Sequence, residues 1–242
     1  MYGFKRSRSS FRSGVSNPVP KSFKPMRKQA RLTSFFPGRM SRSGAELKFL
    51  DTDLVANPIV ANAGYLVPSL NIVPQNATES GRIGRSLTIK SIQCRIQATG
   101  SNDLNGELIR VTLVLDKQCN GAAPAIGDIL AAVGGNVTSL NHPNLDNSSR
   151  FVILADLTHT LQSQAERVST LAGSTTTVTS CVPAVSSFMF NKRVNIPVLY
   201  DAAFADGRLV TIRSNNLVLL FTSTSSTDAY GRGVCRIRYS DE

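Results

Sequence analysis

After residue 46, hydrophobic and polar residues alternate along most of the chain and seldom follow a helical period. From Glu107 to Asp116, Ile109, Val111, Leu113 and Leu115 share one phase, while Leu108, Arg110, Thr112 and Val114 take the other. That period of two places successive side chains on opposite faces of a strand. Ser86–Gly100 starts with Leu87 and Ile89 in one phase and continues with Ile92, Cys94, Ile96 and Ala98 in the other. The slip at Lys90-Ser91 predicts a β-bulge or a bend. Phe151–Ala155, Thr175–Val182, Leu209–Arg213 and Leu217–Thr222 are further strand candidates, the last two expected to pair as a hairpin through Ser214-Asn215-Asn216. Val194, Ile196, Val198 and Tyr200 alternate, and Pro197 favours an edge position there. Val234–Tyr239 sets Cys235, Ile237 and Tyr239 on one face and Arg236 and Arg238 on the other. Only Ile126–Val133 and Leu157–Val168 read as helical, and irregular connections are expected at about 52–80 and 118–148. Eight or so strands joined by tight turns and long loops predict an all-β body over residues 46–242, an antiparallel sandwich or jelly roll rather than a meander.

Charge divides the chain differently. The formal net charge is +11, and residues 1–45 hold eleven basic residues and no acid: Lys5, Arg6, Arg8, Arg12, Lys21, Lys24, Arg27, Lys28, Arg31, Arg39 and Arg42. The remaining 197 residues carry 16 basic and 16 acidic groups. Ser, Pro, Gly and Arg dominate the first 45 residues, a composition that predicts a disordered, extended arm. Tyr2, Phe4, Phe11, Phe23, Phe35 and Phe36 are spaced through it. Cations that neutralise phosphates, interleaved with rings that stack on unpaired bases, suit single-stranded nucleic acid. The eleven basic residues are therefore the candidate nucleic-acid-binding set. Lys5-Arg6-Ser7-Arg8 and Lys24-Pro25-Met26-Arg27-Lys28 also have the form of nuclear-import signals. A tail serving only solubility fits less well, because acidic residues serve that purpose better. A transit peptide would need an amphipathic helix, which Pro18, Pro20, Pro25 and Pro37 oppose.

Dense catalytic chemistry is not apparent. The two histidines, His142 and His159, and the four cysteines, Cys94, Cys119, Cys181 and Cys235, are scattered without metal-ligand spacing. No metal, cofactor or catalytic residue is expected, and Cys94, Cys181 and Cys235 read as small buried apolar residues in strands. Gly81-Arg82-Ile83-Gly84-Arg85-Ser86 has a faint likeness to a phosphate-binding loop, but the spacing is wrong, the Lys is absent and a strand follows it. No apolar stretch approaches the roughly 20 residues of a spanning helix, and no secretory leader or membrane partner is expected.

Several segments together resemble a family. The basic arm ends before Glu46-Leu-Lys-Phe-Leu-Asp51, followed by Gly64-Tyr-Leu-Val-Pro-Ser-Leu70, Arg82-Ile-Gly-Arg85 and Leu87-Thr-Ile-Lys-Ser-Ile92. Then come Arg110-Val-Thr-Leu-Val-Leu-Asp-Lys-Gln118 with Asn120-Gly121, and Asn147-x-x-Arg150-Phe151. Ser214-Asn-Asn-Leu-Val-Leu-Leu220 and Arg236-Ile-Arg-Tyr239 with Asp241 complete the order. Taken in sequence, these resemble the capsid proteins of circular single-stranded DNA viruses that encode a replication initiator, the circovirus-like group. The resemblance implies a single eight-stranded jelly roll, a homo-oligomeric icosahedral shell of about sixty copies, and an arm inside on the genome. It also implies a nuclear import receptor as a partner, and places the protein in the virion and, during assembly, in the host nucleus. DNA is favoured over RNA by the resemblance alone, since a small positive-strand RNA virus capsid shares the plan of arm plus jelly roll.

Charge arithmetic bears on that expectation. Sixty arms at +11 neutralise about 660 phosphates, fewer than the roughly 730 nucleotides needed merely to encode 242 residues. Arginines on the body would have to supply more, and Arg82, Arg85, Arg236 and Arg238 are candidates. A ribosomal or ribonucleoprotein component with a basic tail explains the arm equally well, though not so large a neutral body. An enzyme with a basic targeting tail finds little support in two histidines.

Overall fold

A computed structural model describes residues 47–101, 106–119, 121–162, 164–165, 181–182, 184–201, 205–225 and 228–241. The eleven basic arm residues, Lys5 to Arg42, lie outside the described residues, as do 175–180 of the Thr175–Val182 strand candidate.

The body is nearly all-β and sandwich-like. In chain order its strands are β1 (Leu47–Ile59), β2 (Tyr65–Val67), β3 (Ser86–Thr99), β4 (Glu107–Asp116), β5 (Phe151–Leu161), β6 (Gln164–Ala165), β7 (Cys181–Val182), β8 (Val185–Tyr200), β9 (Ile212–Ser214), β10 (Asn216–Ser223) and β11 (Ala229–Asp241). A five-stranded sheet has the order β1-β11-β3-β8-β9, a four-stranded sheet the order β2-β10-β4-β5, and β6 and β7 form a small ribbon. Every ladder is antiparallel.

One apolar cluster joins the two large sheets. Ile92, Cys94, Ile96 and Ala98 of β3 and Cys235, Ile237 and Tyr239 of β11 meet Ile109, Val111 and Leu113 of β4 and Leu217, Leu219 and Phe221 of β10. All alternate along their strands, as the sequence pattern requires. Truncating Ile92, Ile96, Ile109, Leu113, Leu217, Leu219 or Ile237 to Ala costs about 2–5 kcal/mol, because lost transfer energy and a residual cavity add. The phase slip in β3 is a register shift between Ile89 and Ser91 against β8, which lets both Ile89 and Ile92 face the core.

The four-stranded sheet is buried on its other face as well. Val114 of β4 and Val218 and Leu220 of β10 pack under Ile129, Leu130 and Val137 of the long connection between β4 and β5. That connection, irregular apart from the helix α1 (Ile126–Ile129) and a 3-10 turn at Leu145–Asn147, is pinned by charge. Arg110 donates two hydrogen bonds to Asp156 at 2.8 and 2.6 Å and reaches the carbonyls of Asn141 at 2.6 Å and Ser139 at 3.4 Å. Arg150 donates twice to the buried Asp116 at 2.8 Å, closing the base of the loop. The Asn141 side chain donates to the carbonyls of Ala131 and Asn136.

Several expectations are corrected. Leu157–Leu161 belongs to β5, not to a helix, because the ladder to β4 runs on through Glu107 opposite Leu161. Ile126–Val133 is helical only to Ile129, after which Ala131 bonds to His142 and Gly134 and Gly135 take positive φ. The expected 209–222 hairpin does not form: Leu209–Thr211 is a 3-10 turn, β9 pairs with β8, and β10 pairs with β2 and β4. Asn215, at φ 61, turns the chain from one sheet to the other, and its amide donates to Pro197 O at 2.6 Å. Residues 52–59, expected as irregular, continue β1. Eight strands were expected, whereas the described sheets contain eleven. Cys94 and Cys235 are not separate apolar residues; they lie opposite one another on β3 and β11, Cα atoms 4.2 Å apart, and form a disulfide. Cys119 is buried and free, and desolvation pushes its thiol pKa up.

The pinned loop yields a test. Arg110→Leu removes the donor to the Asn141 and Ser139 carbonyls and to the exposed Asp156 carboxylate, and should cost about 1–2 kcal/mol of stability in urea denaturation. Proteolysis within 131–150 should accelerate before global unfolding. A wild-type midpoint in this variant would show that the loop stays on the sheet without the guanidinium.

Candidate nucleic-acid interface

Among the described residues, no loop packs over the outward face of the five-stranded sheet as the 117–150 connection does over the other sheet, and this face displays the second phase of β1, β11, β3 and β8. Cross-strand register sorts these side chains into rows. Phe49, Arg238, Ser91 and Arg193 form the first, and Asp51, Arg236, Gln93 and Asn191 the second. Asp53, Val234, Arg95 and Met189 form the third, and Arg232, Gln97 and Ser187 the fourth. Tyr230 stands beyond them, opposite Thr99. Five arginines thus share one face with two aspartates. A groove of about 1160 Å³ crosses this face between the Asp51–Ala56 side of β1 and the Ser187–Met189 side of β8.

Partners hold several of the arginines in place. Arg236 donates two hydrogen bonds to Asp51 at 2.6 Å, and its guanidinium lies 4.9 Å from the centre of the Phe49 ring. Those hydrogen bonds hold the Asp51 carboxyl below its ordinary 3.8 against an opposing effect of desolvation, with the charges of Arg236 and Arg238 adding to the lowering. The same bonds raise the Arg236 pKa. Arg232 donates to Gln97 at 2.7 Å. Apolar side chains are exposed among the charges: Met189 is 71% exposed, Tyr230 51% and Val234 48%.

Of the four body arginines singled out by sequence, Arg236 and Arg238 lie on this face, and Arg85 is exposed at the start of β3. Arg82 is fully buried, and its assignment to a surface role is corrected. It stacks over Tyr200 at 4.4 Å and donates to Val73 O at 3.2 Å and Gly84 O at 2.5 Å. Desolvation lowers its pKa, and Tyr200 and Asp241 oppose that shift. The surrounding Gly81–Ser86 segment is not an anion cradle for a ligand, because the Asp241 carboxylate already accepts from the N–H groups of Ile83 and Gly84. Sequence reasoning missed Arg95, Arg193 and Arg232. Arg232 has the phase of Arg236 and Arg238, and Arg95 opposes the buried phase of β3, so parity was a usable signal; their adjacency was not.

Among the described residues, no three His, Cys, Asp or Glu side chains gather as a metal site. His159 stacks on Phe188 with centroids 4.1 Å apart, and its Nδ1 lies 2.6 Å from Ser186 Oγ, a contact that ties β5 to β8. No described helix is long and apolar enough to cross a membrane. No family model matches the chain, and no curated protein matches it.

The Asp51–Arg236 pair sets the charge of the face. The Asp51→Asn variant should need more salt to elute from a sulfonate exchanger than the natural protein at pH 7. Because the Asp51 pKa is lowered below its ordinary 3.8, the carboxylate is still mostly ionised at pH 3.8, where an unpaired one would be half protonated, so most of the gap should persist there. A gap already halved at pH 3.8 would contradict the pairing.

Proposed function

We propose that this protein is a viral capsid subunit that self-assembles into a small icosahedral shell and packages a single-stranded DNA genome through residues 1–45. The observation that carries the reading is the strand order. The two large sheets have the orders β1-β11-β3-β8-β9 and β2-β10-β4-β5. Each interleaves strands from both ends of the chain, which supports reading the body, with β9 as an added edge strand, as the double Greek key of a jelly roll, an architecture common in capsids. The segregation of all net charge into the first 45 residues is what a packaging arm needs.

In this reading the body is the shell wall and the arm neutralises the genome, with the basic clusters at 5–8 and 24–28 meeting a nuclear import receptor. No catalytic residue and no cofactor take part. Within the same reading an RNA genome is the alternative to DNA. A monomeric ribonucleoprotein component would account for the arm but leaves the sheet order without a purpose.

Light scattering on the full-length protein, with absorbance read at 260 and 280 nm across the same peak, tests this directly. A megadalton particle with excess 260 nm absorbance is expected. Deleting residues 2–42 should leave a folded body that still self-associates, with its nucleic-acid content collapsed. A species near 26.1 kDa that stays monomeric with and without nucleic acid would refute the shell, and normal packaging by the deletion variant would refute the role of the arm.

A further inference from the structure

The arginines of the five-stranded sheet are ordered as well as numerous. Outward positions 238, 236, 234 and 232 of β11 step about 6.4–6.8 Å at a time. Each of the four rows they define brings at least one guanidinium: Arg238 with Arg193, then Arg236, then Arg95 beside Val234, then Arg232. That step is comparable with the separation of successive phosphates in an extended single strand. Phe49 stands in the first row, Met189 in the third and Tyr230 past the fourth, each exposed. We infer that this face is a second binding site for single-stranded nucleic acid, distinct from the arm, seating one strand along β11 with phosphates on the arginine rows and bases against Phe49, Met189 and Tyr230.

The inference rests on the packaging reading above. A duplex turns its base faces inward, so it would leave the exposed rings and Met189 unused. A sulfated polysaccharide has no bases to meet them. The face is also partly pre-organised: Arg236 is held by Asp51 and Phe49, and Arg232 by Gln97, so less side-chain freedom is lost on binding.

The test uses the unassembled full-length chain and a 30-nucleotide oligodeoxythymidylate carrying bromodeoxyuridine. Photocrosslinking followed by peptide mapping should give adducts in the peptides holding Phe49, Met189 or Tyr230, in addition to the arm. Adducts confined to residues 1–46 on a bound oligonucleotide overturn the second site and leave the packaging reading standing, whereas no binding at all overturns the packaging reading itself. The double variant Arg95→Gln/Arg232→Gln, folded by circular dichroism, should lose about 1.4 from the slope of log K against log salt, at about 0.7 per phosphate contact on a single strand. An unchanged slope overturns the proposal. So does a variant that loses affinity for heparin while its oligonucleotide slope is kept, because the face would then serve a sulfated polysaccharide.

Discussion

The pairing of β11 with β3 on one side and β1 on the other decides where nearly everything else points. It joins residues from opposite ends of the body, Leu47 opposite Ser240 and Leu87 opposite Asp241. Because side chains alternate with a period of two, a shift of one residue would exchange Cys235, Ile237 and Tyr239 for Arg236 and Arg238 in the core. Burying unpaired guanidinium groups would cost far more than the sheet gains, so register and charge placement are one constraint. A single bulge at Lys90, seen as a register shift of β3 against both β8 and β11, changes the phase of β3 there while β11 keeps its own. The disulfide between Cys94 and Cys235 locks one rung of the same ladder.

The two sheets solve the problem of their outer faces in opposite ways. The outer face of the four-stranded sheet is apolar, and the chain covers it with its own 117–150 connection. Covering it required satisfying a long irregular backbone, which Arg110, Arg150, Asn141, Asn144 and Asn147 accomplish with side-chain bonds to carbonyls and to the buried carboxylate of Asp116. The five-stranded sheet instead carries arginine, glutamine and asparagine outward. Solvation alone would tolerate such a face with either sign of charge. Five arginines against two aspartates, interspersed with exposed Met189 and Tyr230, is a narrower choice than solubility demands.

Local pattern was legible in the sequence wherever one strand's own alternation decided its structure. The β4 pattern, the slip in β3 and the split faces of β11 follow from nearest-neighbour phase. What could not be read depended on partners far along the chain. Leu157–Leu161 has helix-compatible spacing, and only the ladder to β4 makes it strand. Ser214-Asn215-Asn216 is a sound turn signal, but nothing local says whether a turn closes a hairpin or passes between sheets. Cys94 and Cys235 are 141 residues apart, and only the β3–β11 register brings them together. Arg82 looks like a surface cation beside glycines, yet Tyr200, Val73 and Asp241 converge from elsewhere to bury it. The arginine face has the same origin: parity assigns each residue to a side, and register alone sets them in rows.

That distinction changes the charge argument for the proposed shell. Residues 46–242 are neutral in sum, which suggests a body indifferent to a polyanion. Electrostatic interaction in physiological salt decays over about 8–10 Å, so a groove responds to the charges that line it and not to carboxylates across the molecule. The sheet face carries three more positive than negative groups, five arginines less two aspartates. Added to eleven on the arm, this brings each copy to about 14 effective cations, and sixty copies to about 840. The increment moves the balance past the roughly 730 nucleotides that encode this chain alone, which the arms by themselves do not reach. A longer genome still leaves phosphates for mobile cations to neutralise. The folded face and the basic residues 1–45 would then divide the work, the first fixing where a strand lies and the second supplying most of the positive charge.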